Sequence, residues 1–270
     1  MNDQLVTHIK AIFNLAQEAI KGPALIAETG AVNAKGDHSI GMDVRIEELV
    51  INYIKENNLP VNIFSEEQGT ITFHPNPEFT VACDPLDGST NYKIGKGLLP
   101  YGLLIAFYAG TKLKLKDVVA AGAIEYTRNL SWFFDGQNTT DTKGNLISLK
   151  NDWTINRSTP IYLDLYYKEG YDLYQPLAQQ IFIRNTGSTI GNLSYVLSNV
   201  ATGLGGVCMR AEEIGAVYAL IKGAKGIAVD HTGKDLGEWD FNPETTYPIL
   251  AGSKEIIEFC LSKFESNLPE

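Results

Sequence analysis

Asp84-Pro85-Leu86-Asp87-Gly88-Ser89-Thr90-Asn91 is the stretch on which the reading of this chain turns. Two carboxylates three residues apart close an apolar run and lead at once into a Gly-Ser-Thr turn. Hard divalent cations such as Mg2+ take carboxylate and carbonyl oxygens, whereas a phosphoryl group takes the unpaired backbone N–H groups of a loop-to-helix junction. One short run offers both. The preceding Phe79-Thr80-Val81-Ala82-Cys83 is rich in β-branched and aromatic residues and has the length of a buried strand, which puts Asp84 at that strand's carboxyl end. Pro85 blocks further ladder pairing. The spacing lets the turn aim Asp84, Asp87 and the Leu86 carbonyl at one point, and Gly88 admits close backbone approach to a ligand. Ser89 and Thr90 add hydroxyls. The ordinary alternative, an Asp-Gly-Ser surface turn, is outweighed by a second acidic pair upstream.

That pair is Glu66-Glu67, which ends Val61-Asn62-Ile63-Phe64-Ser65 and precedes Gln68-Gly69. Alone, adjacent glutamates are more often a solvated turn. Here two strand ends each deliver acids, and the two reinforce each other.

Together these residues resemble the Mg2+-dependent, lithium-sensitive phosphatases typified by inositol monophosphatase and fructose-1,6-bisphosphatase. That family's fingerprint is Glu-Glu after a strand, then Asp-Pro-(Ile/Leu)-Asp-Gly-(Thr/Ser), and later a metal-binding Asp opening a helix. Lys35-Gly36-Asp37-His38-Ser39-Ile40-Gly41-Met42-Asp43 is similar to the family's Lys-to-Asp stretch leading into its second helix. The third element departs from the pattern. In place of Trp-Asp-x-Ala-(Ala/Gly)-Gly the best register is Glu212-Glu213-Ile214-Gly215-Ala216-Val217, with Glu213 in the position of the metal Asp. Ile214, Val217, Tyr218 and Ile221 follow at i, i+3, i+4 and i+7, and Gly223 and Gly226 close the helix. Trp239-Asp240 is a literal Trp-Asp pair, but Asn242-Pro243 just beyond argues against the required helix, so Asp240 is expected in a loop.

The resemblance implies a mixed α+β / α/β fold, a layered αβαβα sandwich, with the site at the junction of its two parts. It implies one Mg2+ held by Glu66, Asp84 and the Leu86 carbonyl, a second held by Asp84, Asp87 and Glu213, and a third, weaker ion near Glu67. Two or three ions per site follow, with Mn2+ as the alternative metal. The attacking water is assigned to Ser89 and Asp43, and the phosphate oxygens to the amides of Gly88, Ser89 and Thr90. For Asp43 a helix-capping or first-turn role is an equally good reading. Lys35 reads equally well as an ordinary solvated lysine.

The implied reaction is hydrolysis of a small sugar phosphate monoester, fructose 1,6-bisphosphate or inositol 1-phosphate. Animal-type inositol monophosphatases place an acid seven residues before the third-motif Asp, and that count lands on Gly206, which argues against strict inositol specificity. Arg210, three residues before Glu213, resembles the archaeal-type bifunctional branch. In Arg184-Asn185-Thr186-Gly187-Ser188-Thr189, the residues Gly187 and Ser188 read either as sugar contacts or as a turn and helix cap. Arg184 and Arg210 are candidates for a second phosphate. The alternatives are a 3'-phosphoadenosine 5'-phosphate phosphatase, or a phosphosugar-binding protein without turnover, since Glu stands at 213 where Asp is usual.

The 270 residues carry a net charge of -10, which disfavours nucleic-acid polymers and anionic membranes as partners. A small phosphorylated sugar or polyol is the expected ligand, and a homodimer the expected assembly. Cys83, Cys208 and Cys260 have no metal-type spacing and form no even set, so a reducing, cytoplasmic setting is expected. His8, His38, His74 and His231 are scattered, and neither a nucleophile elbow nor a P-loop is present. The N-terminus has a helical rather than signal-like pattern, and the apolar run 98–109 is too short to span a bilayer.

Apolar periodicity predicts a first helix through Leu5, Ile9, Ile12, Phe13, Ala16 and Ile20, and a second through Ile46, Leu49, Val50, Tyr53 and Ile54. Strands are predicted at 61–65, 79–84, 101–108, 117–126, 130–134 and 145–149, the last two separated by a turn-rich segment from Asp135-Gly136 to Lys143-Gly144. A β-α-β-α-β pattern follows, with strands at 161–167, 181–184 and 204–209 and helices at about 172–180 and 190–201. The subdomain boundary is placed between residues 157 and 158.

Overall fold

The computed structural model describes residues 2–32, 38–95, 97–110 and 113–264; Lys35, Gly36 and Asp37 lie outside them. The chain opens with α1 (Asn2–Lys21), whose buried stripe is Leu5, Ile9, Ile12, Phe13 and Ala16. The antiparallel pair β1 (Glu28–Val32) and β2 (His38–Ile40) leads into α2 (Gly41–Glu56). Seven strands then build the first sheet: β3 (Val61–Ser65), β4 (Gly69–Ile71), β5 (Phe79–Asp87), β6 (Gly102–Ala109), β7 (Val118–Glu125), β8 (Leu130–Phe134) and β9 (Thr139–Asp141). Their order is β4-β3-β5-β6-β7-β8-β9, and β3 and β5 are the parallel pair in an otherwise antiparallel sheet. The short α3 (Ser89–Gly95) sits between β5 and β6.

The second sheet comes from later residues: β10 (Pro160–Leu163), β11 (Phe182–Arg184), β12 (Gly203–Met209), β13 (Ile227–Val229) and β14 (Tyr247–Gly252), in the order β11-β10-β12-β14-β13. Between them run α4 (Lys168–Tyr174), α5 (Thr189–Leu197) and α6 (Ala211–Gly223), and α7 (Lys254–Phe264) follows.

Burial arranges these elements in five layers, αβαβα. Along β6 the side chains alternate: Leu103, Ile105 and Phe107 enter the core under α1 and α2, while Leu104, Ala106 and Tyr108 enter the core shared with α5 and α6. Both faces are therefore covered, which is why this strand reads as an unbroken apolar run. The middle layer, α5 and α6, also packs against Leu204 of β12 and Ile249 of β14. On the far face of the second sheet, Tyr174 of α4 and Ile256, Ile257 and Cys260 of α7 form the third core with Ile161 and Leu250. A helix sandwiched between two sheets has no solvent face, and α6 is buried from Ala211 through Ile221.

Several expectations are corrected. No strand occupies 145–149: Leu146 makes one isolated bridge to Thr140 and is 71% exposed. The neighbouring strand is β9, inside the supposed turn, because the buried Thr139 hydroxyl donates to the Leu220 carbonyl of α6. The helix expected at 172–180 starts earlier and tightens into a 3-10 turn at Gln175–Leu177, where Pro176 removes a backbone donor. The strand expected at 161–167 ends at Leu163, because the Tyr166 N–H turns back to the Asp164 carboxylate. Asp240 is in an exposed loop, as its following Pro implies. No helix among the described residues is long and apolar enough to cross a membrane.

Gly102 lies opposite Asp87 in the ladder, and a Cβ there would sit 1.9 Å from the Ile124 carbonyl oxygen and 3.0 Å from Ile190 of α5. Backbone would have to move. Gly102→Ala is expected to cost about 1–3 kcal/mol and lower Tm by several degrees, read by thermal unfolding; an unchanged Tm would contradict this packing.

Candidate active site

The ladder between β5 and β6 is regular as far as Asp84, opposite Leu104, then slips before Asp87, opposite Gly102. The Leu86 N–H donates to Asp84 Oδ1 (3.0 Å), so the irregular turn is closed by its own first acid. Gly88 follows with φ +81°, and a Cβ on it would meet Ser188 Cβ at 2.8 Å and the Pro100 carbonyl oxygen at 3.2 Å. Only glycine suits both constraints. The Tyr92 N–H donates to the Gly88 carbonyl, so the N–H groups of Ser89, Thr90 and Asn91 precede the first intrahelical bond of α3.

Two further helix starts converge on the same place. Ser188 caps α5 by accepting from the Gly191 N–H (3.1 Å), and its hydroxyl donates to the Pro100 carbonyl (2.9 Å). The first-turn N–H groups of α5 are then spent on Asp87, with Thr189 N–H donating to Oδ1 (3.1 Å) and Ile190 N–H to Oδ2. The Thr189 hydroxyl donates to Glu213 Oε2 (2.9 Å) in the first turn of α6. Carboxylate oxygens of Asp84, Asp87 and Glu213 lie within 4.8 Å of one another, and all three residues are buried.

The other acids line the same cavity, whose volume is about 750 Å3. Glu66 accepts from the Arg210 guanidinium, and Glu67 accepts from the Ser39 hydroxyl. Asp43 accepts from the Ile40 N–H (2.8 Å) at the start of α2, so its capping role and its place in the cavity coexist. Every residue expected at the site lines this cavity except Arg184. Arg184 is two residues from Phe182 on edge strand β11, so the two share a face, and its guanidinium stacks 4.0 Å from the Phe182 ring centroid. Ser188 is present, but as a cap. Asp240 stands apart from the carboxylate cluster.

Three supporting residues escaped the sequence reading. Asn91 Nδ2 donates to the carbonyls of Pro100 and Thr186 (both 2.8 Å), fastening the motif loop to the loop before α5. Thr189 holds two acids at once. Buried Glu47 takes the N–H and the side-chain amide of Gln68 (3.2 and 2.6 Å), fixing the backbone just after Glu67. Asn91 adjoins the motif and could have been suspected; the partners of the other two are too distant in sequence to be seen.

A family model described as the N-terminal domain of fructose-1-6-bisphosphatase matches residues 3–124. A Pyrococcus furiosus fructose-1,6-bisphosphatase is 27% identical over 241 residues, 87% of this chain and 86% of that one. A Methanocaldococcus jannaschii fructose-1,6-bisphosphatase/inositol-1-monophosphatase is 28% identical over 230 residues, 84% of each. A solved inositol monophosphatase-fructose 1,6-bisphosphatase superposes with TM-score 0.78 at 22% identity, covering 95% of this chain and 98% of that one. These similarities support the inositol monophosphatase/fructose-1,6-bisphosphatase superfamily for this chain. An inositol monophosphatase from Anabaena shares the fold, with TM-score 0.77 at 16% identity over 99% of this chain and 97% of that one.

Burial drives these acids toward protonation, and neighbouring carboxylates add to it at Asp84, Glu213, Glu66 and Asp43. Burial, then the charges of Glu66, Asp87 and Glu213, hold Asp84 well above the usual carboxylate range, and Glu213 is raised by burial and Asp87 in the same way. Burial pushes Glu66 up to about 8 against the opposing pull of Arg210, and pushes Asp87 up to about 6 against its two backbone donors. Asp43 is raised to about 7, by burial first and by Glu67 in addition. A buried, all-oxygen donor set whose members repel one another fits hard divalent cations of the Mg2+ or Mn2+ type.

The sign of the pH dependence follows. These acids ionise near pH 4 in the unfolded chain (about 3.9 for Asp and 4.3 for Glu) but retain their protons to higher pH when folded. Their contribution to stability is therefore complete below about pH 4 and is lost as pH rises through about 6 to 8. In EDTA, Tm should fall between about pH 5.5 and 8.5, and Mg2+ should restore it most at the alkaline end. At the alkaline end Asp84→Asn should melt above wild type in EDTA and gain less from Mg2+. A metal-free Tm that stays level across this range would contradict the electrostatics.

Proposed function

We propose that the chain hydrolyses the phosphate monoester of a small sugar or polyol, with fructose 1,6-bisphosphate and inositol 1-phosphate as the leading substrates. The observation that carries the reading is the convergence of Asp84, Asp87 and Glu213 within 4.8 Å beside the first-turn N–H groups that open α3. The relatives' names supply the two substrates.

Glu66, Asp84 and the Leu86 carbonyl would hold one divalent cation, and Asp84, Asp87 and Glu213 would hold a second, with Glu67 near a third; Mg2+ is the proposed ion and Mn2+ the alternative. Bound there, cations polarise the phosphoryl group and neutralise charge developing on the leaving oxygen. The amides of Gly88, Ser89 and Thr90 take the phosphoryl oxygens. Asp43, whose pKa of about 7 suits proton transfer near neutrality, accepts a proton from the attacking water, which the Ser89 hydroxyl orients. The water oxygen bonds to phosphorus, the P–O bond to the polyol breaks, and the alkoxide takes a proton from solvent water to leave as an alcohol, while Asp43 returns its proton to solvent. Arg210 and the loop at Gly187 and Ser188 face the rest of the substrate.

The division into 1–157 and 158–270 belongs to the same proposal, supported by the first sheet ending at Asp141 and the second beginning at Pro160. So does a cytoplasmic homodimer. Free Cys83, Cys208 and Cys260 support the setting, and Ile94 and Leu98, 72% and 85% exposed, support a partner copy.

Phosphate release from the two substrates should vanish in EDTA, return with Mg2+ and be inhibited by lithium. Asp84→Asn should lose at least about a hundredfold in rate. Binding of a sugar phosphate without turnover under Mg2+ would instead support a phosphosugar-binding protein.

For the third acid, Glu213→Gln should raise the Mg2+ needed for half-maximal rate and lower the maximal rate, while Asp240→Asn should change neither. An essential Asp240 with a silent Glu213 would refute the assignment.

A further inference from the structure

Strands β11, β10 and β12 run parallel, so their carboxyl ends open at one edge of the second sheet, and that edge forms part of the cavity wall. Its chemistry differs from that of the carboxylate cluster. Asp164 follows the last residue of β10, Asn185 follows the last of β11, and Tyr166 and Tyr167 lie beside them. Asp164 is outside the Asp84, Asp87 and Glu213 group. It is held in place: its N–H donates to the Gly205 carbonyl (2.9 Å), and its Oδ1 accepts from the Tyr166 N–H (2.9 Å) and Asn185 Nδ2 (3.5 Å). Both side-chain bonds run to one oxygen of a group with acceptor capacity for about four.

Asp164 also stands where the main cavity meets a side chamber of about 140 Å3. Gly206 lines that chamber and leaves space in it beside Asp164. A Cβ at Gly206 would meet nothing within 4 Å but Asp164 Cβ, at 3.7 Å. Among the described residues this anchored carboxylate has no salt-bridge partner, and with an amide and phenol rings beside it and open space next to it, it accepts hydrogen bonds from neutral donors.

We infer that Asp164 accepts hydrogen bonds from two adjacent hydroxyls of the leaving polyol, whose ring lies over Gly206. The inference rests on the phosphatase reading above and adds a specificity determinant to it.

The test compares inositol 1-phosphate with p-nitrophenyl phosphate, whose leaving group carries no hydroxyl beyond the ester oxygen, using the full chain with Mg2+. Asp164→Asn keeps the shape and replaces an acceptor by a donor. The ratio of kcat/KM for inositol 1-phosphate to that for p-nitrophenyl phosphate should fall at least about tenfold, chiefly through KM. Gly206→Ala meets no steric conflict in the fold and should shift the ratio in the same direction by filling the chamber; it carries the test alone if Asp164→Asn does not fold. Equal losses on both substrates, or an unchanged ratio in both variants, would overturn the inference while leaving the phosphatase reading standing. Absence of turnover of every phosphate ester by the wild-type chain would overturn the phosphatase reading and this inference together.

Discussion

Like charges held together out of water are the constraint on which this structure depends. Asp84, Asp87, Glu213 and Glu66 come from two strand ends and one helix start; burial raises each of them above the carboxylate range, and neighbouring carboxylates add to it at Asp84, Glu213 and Glu66. Such a group opposes folding unless donors or cations face it. The protein meets this with directed dipoles more than with basic residues: two N–H groups of α5 on Asp87, the Thr189 hydroxyl on Glu213, and one guanidinium, Arg210, on Glu66. What remains uncompensated is the cluster's affinity for divalent cations.

The layering explains how acids so far apart in sequence are brought together. Asp84 and Asp87 belong to the first sheet and Glu213 to the helix layer between the sheets, so the cluster forms only when that layer is seated. Gly215 lets α6 approach closely, since a Cβ there would lie 2.0 Å from the Tyr108 hydroxyl on β6. Gly102 leaves room for Ile190 of α5, whose side chain would lie 3.0 Å from a Cβ there. Packing of two helices against one sheet thus sets the geometry of the cation site, and damage to that packing reaches the chemistry without touching a ligand.

Sequence was most informative where local rules and site chemistry coincided. An apolar strand ending in Asp-Pro-Leu-Asp-Gly, and another ending in Glu-Glu, declared both the strand ends and the acids. Glu213 was found through the helix after it, although the periodic stripe of Ile214, Val217, Tyr218 and Ile221 is not a face at all, because α6 is buried on every side. The acids before the helix and the glycines after it carried the register. Arg184 lies off the cavity because strand alternation puts it on the face of Phe182, over whose ring its guanidinium stacks. Thr139 to Asp141 looked like a turn because nothing local shows that α6 supplies a partner. The β14 and α7 segment drew no expectation, and Asp164, Asn91 and Thr189 gain their roles from contacts that no local pattern displays.

The most direct measurement is the number of protons released when Mg2+ binds, obtained by titration calorimetry in buffers of differing ionisation enthalpy. Acids held above their usual range must give up protons to become ligands. Binding near neutral pH should therefore release protons, with the release shrinking as pH passes about 8 and diminished in Asp84→Asn. Mg2+ binding with no proton release at any pH, or no binding at all, would contradict the view that a buried, mutually repelling carboxylate cluster is the heart of this protein.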